Sequence, residues 1–264
     1  MKDRVLNKIK SIVLPLVDVN ESKEVLKAFN ENQISPIYHY HIRKTAGTSI
    51  NYAFIKELFN GDVEKNYALL AKKYNHRLYN QEQIIVGWNK KLINSCKYSF
   101  AFSHLPYHKV NLKDKSTYTI TCLRNPFDRL ISHYNMLMHY KKNSVSHECM
   151  RTEGVWLGKS FSDFLNNVPE NHLKNQLFMF SERMELNEAI DNISKLNKVL
   201  FTDNLATDLN QLGKEVGLNL ESFNKKSYNT KSEINDSDKN MLIEMLGEEI
   251  TFYNTLKNTY DSTK

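Results

Sequence analysis

Short runs dense in aromatic and β-branched residues alternate along this chain with longer stretches whose apolar positions recur every three or four residues. Four of the short runs read as strands: IYHYHI at 37–42, YSFAFS at 98–103, TYTITCL at 117–123 and KVLFT at 198–202. Each is bounded by polar or proline-containing turns, the usual limits of a strand. Between them, Ile50, Ala53, Phe54 and Leu58 predict a helix over 49–59. Phe127, Leu130, Ile131, Tyr134, Leu137 and Met138 form a fuller stripe over 126–138, the mark of a helix with one buried face. Leu205, Leu209, Leu212 and Val216 predict a further helix closed by Gly217, and Leu242, Met245, Leu246, Tyr253 and Leu256 a last one over about 236–257. Strands that alternate with helices pair in parallel, because each helix crosses back over the sheet. The expected fold class is therefore α/β, with three layers and a mainly parallel central sheet flanked by helices.

A chain of 264 residues suits one such domain with a helical appendage. Val5, Leu6, Ile9, Ile12, Val13 and Leu16 share one helical stripe, so residues 1–35 read as an N-terminal helical extension packed on the domain at 36–264. Contact with a membrane surface or a partner is the alternative for that stripe. Its apolar run IVLPLV is far too short to span a bilayer and is broken by Pro15. The stretches 60–95 and 139–175 are polar and less periodic, and they read as insertions. Insertions of this kind often build the part of an α/β site that selects the substrate.

Composition narrows the ligand without choosing it. The formal net charge of +6 favours anions, and nucleic acid, a nucleotide and an acidic polysaccharide all fit. Cys96, Cys122 and Cys149 are an odd number with no CxxC pair, which argues against a disulfide framework or a zinc ribbon and for a reducing, cytoplasmic setting.

Three strand ends carry candidate chemistry. In HIRKTAGTS (41–49) the strand stops near Ile42 and a helix begins near Thr48 or Ser49. Small residues in between let successive N–H groups face one anion, and the helix N-terminus adds partial positive charge. Lys44 brings a mobile full charge, and Thr45, Thr48 and Ser49 bring hydroxyls. An ordinary strand–turn–helix junction, with Ser49 or Thr48 as N-cap, is the alternative. The ATP-binding pattern GxxxxGK followed by Ser or Thr is absent, so no hydroxyl is set onto magnesium. At the second junction Arg124 ends a strand, Asn125 is the expected N-cap, Pro126 takes the first helical position and Asp128 lies in the first turn. Helical spacing leaves Asn125, Arg129 and Ser132 off the apolar stripe, so Arg124 and Ser132 are able to share a phosphate. Third, His104 follows the strand YSFAFS directly. That edge of an open α/β sheet is where ligands bind, and a histidine there can take a proton from a hydroxyl. His104 and His108 have the spacing of a helical zinc pair, but Pro106 between them argues against the helix, and no metal is expected. His39 and His41 alternate onto one strand face as packing and loop-bracing groups. Trp88 and Trp156 read as packing residues, with stacking on a sugar as the alternative.

HIRKTAGTS resembles the 5′-phosphosulfate loop of the PAPS-dependent sulfotransferases, particularly the carbohydrate branch that includes the heparan-sulfate 2-O type. Arg43 stands where that family commonly has proline, which removes some turn rigidity, adds a charge and leaves Lys44 in register. LRNPFDRLIS (123–132) is similar to the family's 3′-phosphate motif at Arg124, Asn125, Pro126, Arg129 and Ser132. SHLPY (103–107) looks like the segment whose histidine is regarded as the catalytic base, with Ser103 in place of the common glycine. The resemblance covers about residues 36–258 and is most specific in these three segments.

It implies a sulfotransferase fold of the P-loop type and transfer of a sulfuryl group from PAPS to an acceptor hydroxyl, most simply on a glycan, with PAP as product. It implies His104 as base and Lys44 as stabiliser of the leaving group. The donor contacts it implies are Arg43, Lys44, Thr45, Ala46, Gly47, Thr48, Ser49, Arg124 and Ser132. The late basic loop 221–231 adds Lys225 and Lys226. On this reading the insertions lie on the acceptor side, and specific nucleic-acid binding is not expected. A nucleotide or small-molecule kinase of related fold and a noncatalytic polyanion-binding module are the alternatives.

Overall fold

The computed structural model describes residues 35–59, 61–72, 76–80, 83–223 and 234–262. Most of the expected N-terminal extension, and both Lys225 and Lys226, lie outside the described residues.

Six strands form one sheet: β1 (Ile37–Tyr40), β2 (Arg77–Tyr79), β3 (Ile84–Gly87), β4 (Phe100–Ser103), β5 (Tyr118–Leu123) and β6 (Lys198–Phe201), in the spatial order β2-β3-β4-β1-β5-β6. Every neighbouring pair runs parallel except β2 with β3. The four strands expected from the sequence are all present and slightly shorter. β2 and β3 come from 60–95 and build one edge of the sheet. IIVG is buried at every position and so shows no alternation, and RLY is only three residues long. Neither has the pattern that marks a strand in sequence.

The helices in chain order are α1 (Gly47–Leu58), α2 (Val63–Lys72), α3 (Lys90–Ser95), α4 (Pro126–Lys142), α5 (Glu148–Thr152), α6 (Phe161–Asn167), α7 (Glu170–Leu173), α8 (Asn175–Phe180), α9 (Leu186–Ser194), α10 (Leu205–Val216), α11 (Asp236–Met245) and α12 (Gly247–Ser262). Gly217 closes α10 in the left-handed conformation (φ 72°), as its position after the last apolar residue predicts. No described helix is long and apolar enough to cross a membrane.

The side chains of β1 divide the core. Ile37 joins Ile50, Phe54 and Phe100 on one face, where α1 and α10 pack. Tyr38 and Tyr40 join Leu177, Phe180 and Phe252 on the other, under α8, α9 and α12. A third cluster, around Leu130, Tyr134, Phe161, Phe164 and Leu242, ties α4 to the segment 139–175 and to α11. The stretch expected as one helix over 236–257 is two, separated at Leu246 (φ −93°, ψ 0°). Leu242 serves the third cluster while Phe252 and Tyr253 serve the second, with Tyr38 and Tyr40, and one straight stripe does not face both.

The chain leaves β1, builds β2, β3 and β4 on one side, and then places β5 and β6 on the other. The strand order thus reverses at β1, which opens a crevice at the C-terminal ends of β4, β1 and β5. His104, the loop 43–46 and Arg124 follow those three adjacent strands.

Candidate active site

The loop after β1 is shaped by two residues in the left-handed region, Lys44 (φ 66°) and Ala46 (φ 59°). Neither is glycine, so the loop holds backbone strain of the kind found at functional turns. Ala46 is the N-cap of α1 and offers no side-chain cap. The N–H groups of Ser49 and Ile50 both reach back to the Ala46 carbonyl, at 2.9 and 3.2 Å. The helix therefore starts at Gly47, earlier than the expected Thr48 or Ser49, and neither hydroxyl is the N-cap. An uncapped N-terminus presents its first N–H groups to a ligand. The Thr45 hydroxyl is buried and donates to the Ile42 carbonyl at 3.1 Å, so it braces the turn. Thr48 is bonded to Tyr67.

Gly47 has a specific reason to be glycine. A β-carbon there would lie 1.9 Å from Cδ2 of His41. His41 is held against this point by Asn51, whose side-chain nitrogen lies 3.3 Å from His41 Nδ1 and whose oxygen is 2.8 Å from His39 Nδ1. His39 and His41 are buried and stacked, with centroids 5.3 Å apart. Burial lowers both from the usual histidine value, His39 to about 4. They brace the loop, as expected.

His104 donates its Nδ1–H to the carbonyl of His41 at 2.6 Å. A carbonyl oxygen only accepts, so this bond fixes the tautomer and leaves the Nε2 lone pair free. Burial and the nearby Arg43 charge bring its pKa down to about 4, and the ring is neutral at pH 7.

Arg124, half-buried beyond β5, donates from Nη1 to the carbonyl of Lys44 at 3.3 Å. Gln176 of α8 clamps its backbone twice, accepting from the Arg124 N–H and donating to its carbonyl, both at 2.9 Å. Asn125 caps α4 by accepting from the Asp128 N–H, with Pro126 in the first turn. Lys44 Nζ lies 3.7 Å from Met136 Sδ on α4. Ser132 sits one turn before Met136 on that helix, so the face bearing Ser132 turns toward the loop. Burial, reinforced by Arg124, lowers the Lys44 pKa to about 8.

Arg129 departs from the expected open face. It is fully buried, its Nε 3.3 Å from Glu249 Oε1 of α12, with Nη2 donating to the carbonyls of His172 and Leu173. Glu249 also accepts from the Gln176 N–H and side chain, both at 3.2 Å. Arg129 is thus a structural cation behind the site.

Sequence patterns alone left a second group unseen. Arg43 pairs with Glu153 at 2.6 Å, and Glu153 accepts from His133 Nε2 at 2.7 Å. His172 lies beyond them, with Trp156 packed on its ring at a centroid distance of 4.7 Å. Glu153, Gln176 and Met136 lie within polar or ordinary helical sequence and carry no local pattern that marks them. Trp88 packs on Phe102 in the core, at 4.9 Å between centroids.

A mainly parallel α/β sheet thus carries a strained loop leading into an uncapped helix, a second cation and a neutral histidine on three adjacent strand ends. The model of the sulfotransferase domain matches residues 45–243, more than half of the chain, and the chain belongs to that family. Similar solved structures include mouse sulfotransferase SULT7A1 complexed with PAP, at 15% identity over 84% of this chain and 68% of that one, with a TM-score of 0.28. A sulfotransferase from Alicyclobacillus acidocaldarius is 12% identical over 89% of this chain and 90% of that one, with a TM-score of 0.35. Among curated protein sequences none matches.

Proposed function

We propose that this sulfotransferase moves the sulfuryl group of PAPS to a hydroxyl of a carbohydrate acceptor and releases PAP. The fixed tautomer of His104, beside the loop, is the observation that carries the reading. Its free Nε2 takes the acceptor's proton as the oxygen attacks sulfur, and the bond from sulfur to the bridging oxygen breaks in line. The sulfuryl group brings the electrophile, with less charge to neutralise than a γ-phosphoryl group. Lys44 and the first N–H groups of α1 stabilise the oxygen that gains charge. Arg124, with Ser132 on the facing side of α4, holds the 3′-phosphate, and a site built around that group discriminates against ATP. The donor's negative charge beside Arg43 and Lys44 offsets their repulsion of an imidazolium and raises the basicity of His104. The segment 139–175, which supplies Glu153 and Trp156, lines the acceptor side. Cys96, Cys122 and Cys149 are all free and buried, which supports a reducing, cytoplasmic setting.

The test compares wild type with His104→Ala in a transfer assay using labelled PAPS and a panel of glycan acceptors. The expected result is turnover lowered by roughly 10²–10⁴, the usual worth of a general base, with PAP affinity within a few-fold of wild type. Normal transfer by the variant would assign the base elsewhere. Thermal stabilisation by PAP without metal, and much less by ATP with magnesium, separates this reading from a kinase.

A further inference from the structure

We propose that Glu153 is a positioning residue for the transfer: a buried carboxylate that clamps Arg43 in the loop and balances the positive charge His104 gains with the acceptor's proton. This rests on the reading of His104 as base.

Both carboxylate oxygens are committed. Oε1 meets Arg43 Nη1 at 2.6 Å and Oε2 accepts from His133 Nε2 at 2.7 Å. Glu153 is only 3% exposed, so it has almost no water to screen it. Hydrogen bonding from His133 and the Arg43 charge outweigh the cost of burial and hold its pKa below the ordinary carboxylate value. A buried carboxylate in such a place is stable only with a matched cation, and Arg43 is that match. His133 is itself buried on α4 between Glu153 and the edge of Trp156, at a centroid distance of 6.0 Å. The carboxylate is therefore held from two sides.

His41 touches His104 directly, with ring centroids 4.4 Å apart, and the other groups act on it electrostatically. Arg43 comes from the loop, His39 from β1 with His41 just beyond its end, and Glu153 and His172 from 139–175. Among these described residues Glu153 supplies the one negative charge. As His104 becomes an imidazolium, Arg43 opposes the change and Glu153 favours it. Arg43 by itself weakens the base, and Glu153 offsets part of that effect.

The experiment titrates the labelled His104 ring by NMR in the full chain, in wild type, Arg43→Met, Glu153→Gln and the double variant. Arg43→Met should raise the His104 pKa by about one unit, the scale of one nearby charge, and Glu153→Gln should lower it by less. The double variant should return toward wild type. Glu153→Gln should also lower kcat about tenfold while PAP stabilisation stays within a few-fold. If one single variant does not fold, the other and the double variant, which strands no charge, decide. An unmoved His104 titration would overturn the proposal, as would loss of PAP binding in step with kcat. Failure of His104 as base shows separately, as transfer retained by His104→Ala, because the ring titration does not depend on turnover.

Discussion

Arg124 gives one of its five donors to the Lys44 carbonyl and lies next to the loop that would hold the sulfuryl end of the donor. On the proposed reading, a guanidinium so placed discriminates ligands by what they carry at the 3′ position. Losing one charge-assisted contact costs about 1.5–3 kcal/mol, or roughly ten- to a hundredfold in affinity. Arg124→Ala should therefore weaken PAP by that factor and adenosine 5′-phosphosulfate, which has no 3′-phosphate, much less. Calorimetric titration of both ligands checks it, and an equal loss for both would remove Arg124 from the 3′-phosphate. Lys44, His104 and Arg124 were legible in the sequence because each follows a strand whose end is recognisable. Glu153 and Gln176 were not. Each is a polar residue whose partner is distant in the chain, and local spacing carries no record of such a pair. Arg129 was misplaced for the same reason, since Glu249 draws it inward from a helix position that periodicity leaves open.

At the scale of elements, α1 and its loop are one device. The left-handed Lys44 and Ala46 turn the chain, Asn51 orders the two histidines, and His41 fills the space where Gly47 has no side chain. Gly47→Ala places a carbon inside the His41 ring envelope, so the ring or the helix start has to move. Overpacking of this sort costs about 1–3 kcal/mol. The His41 carbonyl that fixes His104 lies on the same residue, so the effect extends beyond the loop. Gly47→Ala should lower the melting temperature and also reduce the further stabilisation given by PAP, both read in one thermal-shift series. Unchanged stabilisation by PAP would mean that the loop does not hold the donor. The loop's sequence suggested the strand–loop–helix junction but not its cap. Thr48 and Ser49 have the residue types of an N-cap, and only the left-handed Ala46 moves the helix start to Gly47. The strands β2 and β3 escaped for a related reason: fully buried or very short runs lose the alternation by which a strand is read.

The whole molecule places the site where the strand order reverses, and it braces that point from behind with the C-terminal helix. Glu249 on α12 receives Arg129 from α4 and Gln176 from α8, and Gln176 in turn holds the backbone of Arg124. Both charges of the pair are fully buried, which makes it costly to break and of little value to stability as a whole. Glu249→Gln leaves Arg129 uncompensated and should cost about 3–5 kcal/mol in urea unfolding. Replacing both partners, as Arg129→Met with Glu249→Leu, removes the stranded charge and should recover most of that loss. Donor binding is expected to part company with stability there. Gln176 would no longer have the carboxylate that orients it, so the double variant should remain weakened toward PAP while its unfolding midpoint approaches wild type. If PAP affinity returned together with stability, the chain from α12 through Gln176 to Arg124 would be a prop for the fold alone, with no part in setting the anchor.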